Sequence, residues 1–314
     1  MIFHRVLARP DPLRPFEPDR ERFREVAAWL SDWFRVLPLG EAIARLRSGS
    51  LPSRAAAITF DDGYADNLHV AAPVLSEFGL PATCFVATGF LDGGRMWNDT
   101  IIESVRGARS DVLRIPALDL ALPVTDNAQK TDAIARLIGR VKHLPPHERA
   151  DAVAAVSEAA GATLPTDLML TSDELRALRA TGVTIGAHTV THPILAAVDE
   201  ADARREIADG RDRLASLLRE PIDLFAYPNG RAVQDYGSVH VAMVRQAGFS
   251  AAVSTNWGAC SAKSDVFQLP RFTPWDKQRV RFGLRMLANL RQREATAVLP
   301  ARAPDVAGAD ASGY

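Results

Sequence analysis

Thr59-Phe60-Asp61-Asp62-Gly63-Tyr64 places two carboxylates where a short apolar run ends. Upstream, residues 54–60 finish in β-branched and aromatic side chains, the pattern of a buried strand. Neighbouring side chains on a regular strand point to opposite faces, so Asp61 and Asp62 can serve one site only where the chain is already turning out of the sheet. Gly63 supplies the freedom for that turn. Downstream, Leu68, Ala71, Ala72, Leu75 and Phe78 recur at helical spacing before Gly79 and Pro81, which predicts a helix over 65–78. An isolated Asp-Asp-Gly is more often a helix cap or a solvated turn, so its functional weight depends on a second stretch.

Gly186-Ala187-His188-Thr189-Val190-Thr191-His192-Pro193 is that stretch. Two histidines lie four apart, after a second β-rich run, Val183-Thr184-Ile185, so His188 also falls where a strand ends. Neutral imidazole is the commonest metal-binding side chain. Two imidazoles and one distant carboxylate give three ligands and leave positions open for water and substrate, which is the arrangement of catalytic sites. Alone, either histidine is more often a hydrogen-bonded core or loop residue. Paired with the acids, they favour a metal site.

With 314 residues, 47% hydrophobic and 24% charged, the chain is long enough for one large α/β domain with an insertion. Net charge −1 and a pI near 6.7 argue against nucleic acid or a membrane surface as partner. Cys84 lies in the apolar run 82–87, where a buried free thiol is expected, and with Cys260 it implies no disulfide framework. Met1 to Leu7 lacks the features of a secretory signal and no run of about 18 apolar residues exists, so a cytoplasmic protein without an integral membrane segment is expected.

In order, strands are predicted over 2–7, 34–37, 54–60, 82–87, 183–185, 223–227 and 249–253, with 266–269 as a candidate for the last. Helices are predicted over 19–33, 41–46, 65–78, 199–220, 239–247 and 276–290. This alternation predicts a parallel sheet or barrel whose ligands gather at the C-terminal strand ends. Between about 92 and 170 the alternation lapses into a mostly helical insertion, with helices over 98–106, 131–142 and 146–160 and a polar stretch over 115–127. Thr171-Ser172-Asp173-Glu174 fits a capping box for the helix ending near Ala180. The barrel is expected over 1–290, and 291–314, rich in Ala, Pro, Gly and Asp, as a disordered tail.

A third strand-end turn, Phe225-Ala226-Tyr227-Pro228-Asn229-Gly230, completes an ordered set of motifs. From about Ile2 to Pro274 the chain resembles the polysaccharide deacetylase family (carbohydrate esterase family 4), which has Thr-Phe-Asp-Asp-Gly, then His-Ser/Thr-x-x-His, then a Pro-x-Gly turn. The resemblance implies a distorted (β/α) barrel of about seven strands and one divalent metal, zinc first, with cobalt, nickel or iron fitting the same donors. It implies Asp62, His188 and His192 as metal ligands, Asp61 as the base that works on a metal-activated water, and the Asn229 N–H as donor to the oxyanion. Family members often carry an arginine two residues before the Pro; here Ala226 stands there, and Arg271 in Leu269-Pro270-Arg271 is the candidate replacement, as in an exopolysaccharide-type subgroup. No Leu-x-His occurs near the C-terminus, where other members place the general acid, so His4 of Phe3-His4 is the candidate. Tyr227, Pro228 and Trp97 are assigned to the substrate, an N-acetylated carbohydrate, and Trp257 and Trp275 are further candidates to stack on a sugar, against packing in the core.

Three rival readings remain at this level. Two His and one carboxylate also make the facial triad of non-haem iron oxygenases, although a second adjacent acid is better explained as a hydrolase base. A non-catalytic carbohydrate-binding relative would be expected to have lost one of the four polar residues, and all four are present. A small-amide or imide hydrolase on the same fold is the third.

Overall fold

The computed structural model describes residues 1–273, 276–291 and 297–298. Pro274, Trp275 and nearly all of the tail expected over 291–314 lie outside the described residues. The strands are β1 (Ile2–Phe3), β2 (Arg35–Val36), β3 (Ala55–Ala56), β4 (Ile58–Phe60), β5 (Ala82–Val86), β6 (Val112–Ile115), β7 (Leu120–Pro123), β8 (Thr184–Ala187), β9 (Leu224–Ala226) and β10 (Ala251–Val253). The helices are α1 (Arg20–Trp33), α2 (Leu39–Arg47), α3 (Ala72–Glu77), α4 (Trp97–Arg106), α5 (Asn127–Val141), α6 (Pro146–Ala160), α7 (Ser172–Ala180), α8 (Glu200–Leu218), α9 (Ser238–Gln246) and α10 (Arg279–Arg291).

Six strands form one parallel sheet in the order β1-β4-β5-β8-β9-β10. All of them deliver their C-terminal ends to one rim. Beyond β10 the chain closes the sheet into a distorted barrel: Leu269 pairs with Val253 on one side, and three residues later the Phe272 carbonyl accepts from the Ile2 N–H of β1. The strand expected over 266–269 is therefore one bridge followed by a closing segment. Pro270 in that segment has no N–H to extend a ladder. The predicted strand over 34–37 leaves the barrel as β2 and pairs with β3, so the sheet has six strands where about seven were expected.

Local signals placed most helices. Asp19 caps α1 through the Arg22 N–H, and Phe23, Val26, Ala27 and Leu30 turn inward onto the sheet. Thr171 and Glu174 form the capping box of α7. The helix predicted over 65–78 starts as a wide π-type turn at Asn67–Ala71 before α3, where Pro73 removes a helical N–H. At the far end, Phe282 of α10 seats between Trp29 and Trp33 of α1.

The stretch between β5 and α7 packs α4, α5 and α6 around its own apolar cluster, which includes Ile101, Leu113, Leu122, Leu137 and Val156. The polar stretch over 115–127 carries the turn and the second strand of an antiparallel hairpin, β6–β7, turned through Asp119 at φ +53°. Leu113, Ile115 and Leu122 point inward while their neighbours face water, an alternation too short to stand out beside Pro116 and Pro123.

Gly186 sits at the middle of the sheet opposite Phe85, whose ring lies over it. A Cβ at Gly186 would meet that ring at 2.5 Å and the Leu224 carbonyl at 3.0 Å. Gly186→Ala is expected to destabilise the fold by about 1–3 kcal/mol in urea titration, and Phe85→Leu in the same chain to restore part of the loss.

Candidate metal centre and active-site cleft

Phe60 ends β4, and the chain then leaves the sheet through two left-handed residues, Asp62 at φ +79° and Gly63 at φ +89°. The left-handed turn begins one residue earlier than the glycine. It is what aims Asp62 at the site that Asp61 already faces. A side chain at Gly63 would also strike Val86 at 2.9 Å.

Two histidines meet Asp62 there. Its Oδ1 lies 3.5 Å from Nε2 of both His188 and His192, and the three ligand atoms fall within 4.8 Å of one another. That oxygen is buried and has no hydrogen-bond partner among the described residues. A buried carboxylate oxygen left without a partner costs about 1–3 kcal/mol, a cost that a cation between the three groups would remove. His188 Nδ1–H donates to the Ala226 carbonyl at 2.7 Å, which fixes the tautomer with Nε2 bare and turned to Asp62. One carboxylate and two imidazoles with a fixed tautomer fit a divalent transition metal.

Electrostatics agree with that fit. Burial drops the His192 imidazole to about 4 despite the opposing charge of Asp62, so it is a neutral lone-pair donor at neutral pH. Burial works against the His188 cation too, but the neighbouring carboxylates of Asp62 and Asp61 outweigh it and the imidazole is raised. A dication would take the place of that proton. Burial alone would lift the Asp62 carboxyl; the two histidines hold it well below the usual range.

Asp61 has a different partner. Arg271 forks onto it, Nη1 to Oδ1 and Nη2 to Oδ2, both at 2.7 Å, and the same guanidinium donates to Thr59 Oγ1 and the Ser254 carbonyl. Burial pushes the Asp61 carboxyl up, Arg271 pulls it down, and the net is a lowered value and an ionised group. The closing segment thus brings to β4 the arginine that Ala226 does not supply.

The loop carrying the histidines is held by residues that the motifs do not mark. Glu206 of α8 accepts from the Val190 N–H, the Thr191 N–H and the Thr191 hydroxyl, and the Thr88 and Gly89 N–H groups bond to the Thr189 and Val190 carbonyls. Thr189 and His192 are both left-handed, at φ +65° and +55°. Gly210 lets α8 approach, since a Cβ there would sit 2.9 Å from the Thr189 backbone. Nothing near Glu206 in sequence distinguishes it from the other acids of a charged helix.

A cleft of about 310 Å³ opens over these groups. His4, Asn229 and Trp97 line it, with Glu17, whose carboxyl is raised by burial. The Asn229 N–H has no partner among the described residues, and its left-handed backbone (φ +57°) is fixed by Thr255 Oγ1 donating to its carbonyl. Tyr227 is a correction: it is fully buried, stacked on Tyr236 with ring centroids 3.9 Å apart, and Phe225 packs on it edge-on. Its position next to the turn proline puts it on the core side of β9. Pro228 is buried with it and does not line the cleft, and Trp257 packs edge-on against Phe272 away from it.

The polysaccharide deacetylase family profile matches residues 48–106 and 145–252, passing over the hairpin and α5. The chain belongs to the polysaccharide deacetylase family. It is 22% identical over 254 residues to the "Putative polysaccharide deacetylase YxkH" of Bacillus subtilis (strain 168), covering 80% of this chain but 63% of that relative, less than two thirds of its length. Among solved structures it is similar to the Streptococcus pyogenes deacetylase PplD in complex with acetate (TM-score 0.59, 18% identity, 87% of this chain and 89% of that one). It is also similar to IcaB from Ammonifex degensii (TM-score 0.55, 18% identity, 89% and 93%). At such identities the likeness is one of fold. No described helix is long and apolar enough to cross a membrane.

Asp62→Ala, His188→Ala and His192→Ala are each expected to abolish stoichiometric uptake of zinc or cobalt, read by elemental analysis after dialysis. Glu206→Gln should weaken uptake by about 10–100-fold while the fold is retained, because it loosens the loop and not the ligands. Apparent affinity should fall as pH drops through the raised His188 value, since the proton and the metal compete for Nε2.

Proposed function

We propose that this polysaccharide deacetylase family member is a metal-dependent carbohydrate N-deacetylase, which hydrolyses the acetamide of an N-acetylated sugar to acetate and an amine. The observation that carries the reading is Asp62 Oδ1, without a hydrogen-bond partner among the described residues and held between two imidazole Nε2 atoms, with a second, separately clamped carboxylate beside it. A non-catalytic sugar-binding relative would have no use for that second carboxylate. An oxygenase would have no evident use for a base fixed in its ionised form.

Asp62, His188 and His192 would hold a divalent cation, which when bound acts as a Lewis acid toward water and the acyl oxygen. Asp61, kept ionised by Arg271, takes a proton from the water as its oxygen bonds to the acyl carbon. The Asn229 N–H, without a partner among the described residues, donates to the acyl oxygen as negative charge builds there, a contribution of about 3–4 kcal/mol for one well-placed donor. His4 gives a proton to the nitrogen as the C–N bond breaks. Trp97, on the wall formed by α4, offers an apolar face to the sugar ring. The barrel that carries these groups spans 1–290, with 92–170 as its insertion.

Metal-loaded protein is expected to release acetate from N-acetylglucosamine oligomers, read by a coupled acetate assay. Asp61→Asn should retain metal and lose turnover by about 10²-fold or more, because the amide keeps the size and removes the proton acceptor. Absence of acetate from all N-acetylated sugars, with release of ammonia or acid from cyclic imides, would transfer the site to the small-amide reading.

Arg271→Ala removes the charge that offsets burial at Asp61, so the Asp61 pKa should rise and the acid limb of the rate profile should move to higher pH. It should also destabilise the fold by about 3–5 kcal/mol, since a buried carboxylate loses its partner. Arg271→Lys should recover part of both. An acid limb that stays in place in both variants would detach Arg271 from the base.

A further inference from the structure

The cleft has two walls of unlike character. His4, just after β1, and Glu17 line it, and the insertion contributes Ile138 of α5, Lys142 at its C-cap and Arg149 of α6. Three cations line the cleft. Arg14 is fully engaged, donating to Asp99 at 2.6 Å and to Glu103 at 3.3 Å. Lys142 and Arg149 make no ion pair among the described residues.

Arg149 is half-buried, with its guanidinium 5.3 Å from the Trp97 ring centre and only a 3.5 Å approach to the Lys142 carbonyl. Burial lowers its pKa and no acid acts to restore it. Lys142 is half-buried as well; the acid whose charge it feels is Asp235, which is itself turned to the Arg231 N–H. A second hollow of about 150 Å³ continues the cleft beyond Lys142, Arg149 and Ile194, which line both. Asp235 also lines that hollow, beyond ion-pair distance of both cations. Two half-buried cations with no carboxylate at ion-pair distance among the described residues, set where the cleft runs past the proposed catalytic centre, are placed for an anion that arrives with the substrate.

We propose that Lys142 and Arg149 form a subsite for an anionic group, phosphate or carboxylate, on the sugar chain that enters the cleft. The proposal rests on the deacetylase reading for its substrate, and it deepens that reading: the preferred substrate is an anionic N-acetylated glycan, with the acetamide at Asp62 and the anion on the insertion wall. Arg149 supplies a planar fork suited to either oxyanion, and Lys142 a mobile point charge beside it. Trp97 holds the Arg149 guanidinium by stacking, so the sugar ring and the anion are read by adjacent side chains.

The test is calorimetric titration of the full chain at low salt, both chelated and metal-loaded. The probes are a neutral N-acetylglucosamine oligomer, N-acetylglucosamine 6-phosphate and an N-acetylated hexosaminuronic acid. In chelated protein at least one anionic sugar should bind about tenfold or more tighter than the neutral probe, and the tighter of the two identifies the oxyanion. Lys142→Gln/Arg149→Gln should bring it to the level of the neutral probe, and Lys142→Gln alone, which leaves the stack on Trp97 intact, should remove part of the preference. Equal binding of all three sugars by the wild-type chain, or a preference that survives in the double variant, would overturn the subsite. An anionic preference in protein that releases no acetate would uphold the subsite and sink the deacetylase reading instead.

Discussion

The Asp61–Arg271 pair is the constraint on which the rest of the molecule depends. A carboxylate 2% exposed at the end of a central strand is tolerated only with a cation and satisfied oxygens, and both come from one guanidinium 210 residues away. The same guanidinium bonds Thr59 of β4 and the Ser254 carbonyl just after β10. It therefore ties the closing segment to strands on both sides of the barrel seam. Such a pair adds little stability over a hydrophobic replacement, yet losing one member leaves a bare buried charge. The arrangement is better understood as fixing geometry. It separates the two adjacent acids: one is committed to an arginine, and the other is left with an oxygen that has no partner among the described residues.

Left-handed backbone recurs at the same rim. Asp62, Thr189, His192 and Asn229 are all left-handed without being glycine, each at a cost of about 1–2 kcal/mol. Each lies just beyond a strand of the parallel sheet, and each is held by bonds from neighbouring elements. Glu206 and Gly89 hold the histidine loop, and Thr255 holds Asn229. The sheet supplies the rigidity that lets these turns persist. Three strand-end turns can then converge on one point, although they are about 60, 190 and 230 residues along the chain.

What was legible in the sequence follows from the range of the forces involved. The caps of α1 and α7, the span of α6 and the parallel order of the main strands rest on neighbours within a few residues, and the alternation and capping signals carried them. Asp61, Asp62, His188 and His192 were legible because each motif sits at a strand end and the fold brings such ends together. Arg271 was legible only through the missing arginine at Ala226. Glu206 was not legible at all: its three bonds are tertiary, and its sequence context is an ordinary charged helix. Tyr227 failed for the opposite reason. Adjacency to the turn suggested a wall of the cleft, but the alternation of β9 sends its ring into the core against Tyr236. The β6–β7 hairpin was hidden by prolines at its turn and end, and the strand expected over 266–269 shrank to a bridge because Pro270 cannot extend a ladder.

The two largest apolar clusters suggest how such a molecule can keep one chemistry and vary what it acts on. The ligands and the proposed base are anchored in the barrel, where Phe60, Ile185 and Phe225 share one core. Ile138, Lys142 and Arg149 stand on helices whose buried faces, Leu137, Val141 and Val156 among them, belong to the second cluster. Substitutions whose partners lie in different clusters act nearly independently, so the insertion wall can change charge without disturbing the Asp62–His188–His192 geometry. The family match follows the same division, since it passes over residues 107–144, which contain the hairpin and all of α5. Lys142 lies within that unmatched stretch and Arg149 just after it. The residues that set the charge of this wall therefore stand where the chain departs from, or has just rejoined, its relatives, while those proposed to carry the reaction lie inside the match or, for Arg271 and His4, at the ends of the barrel that encloses it.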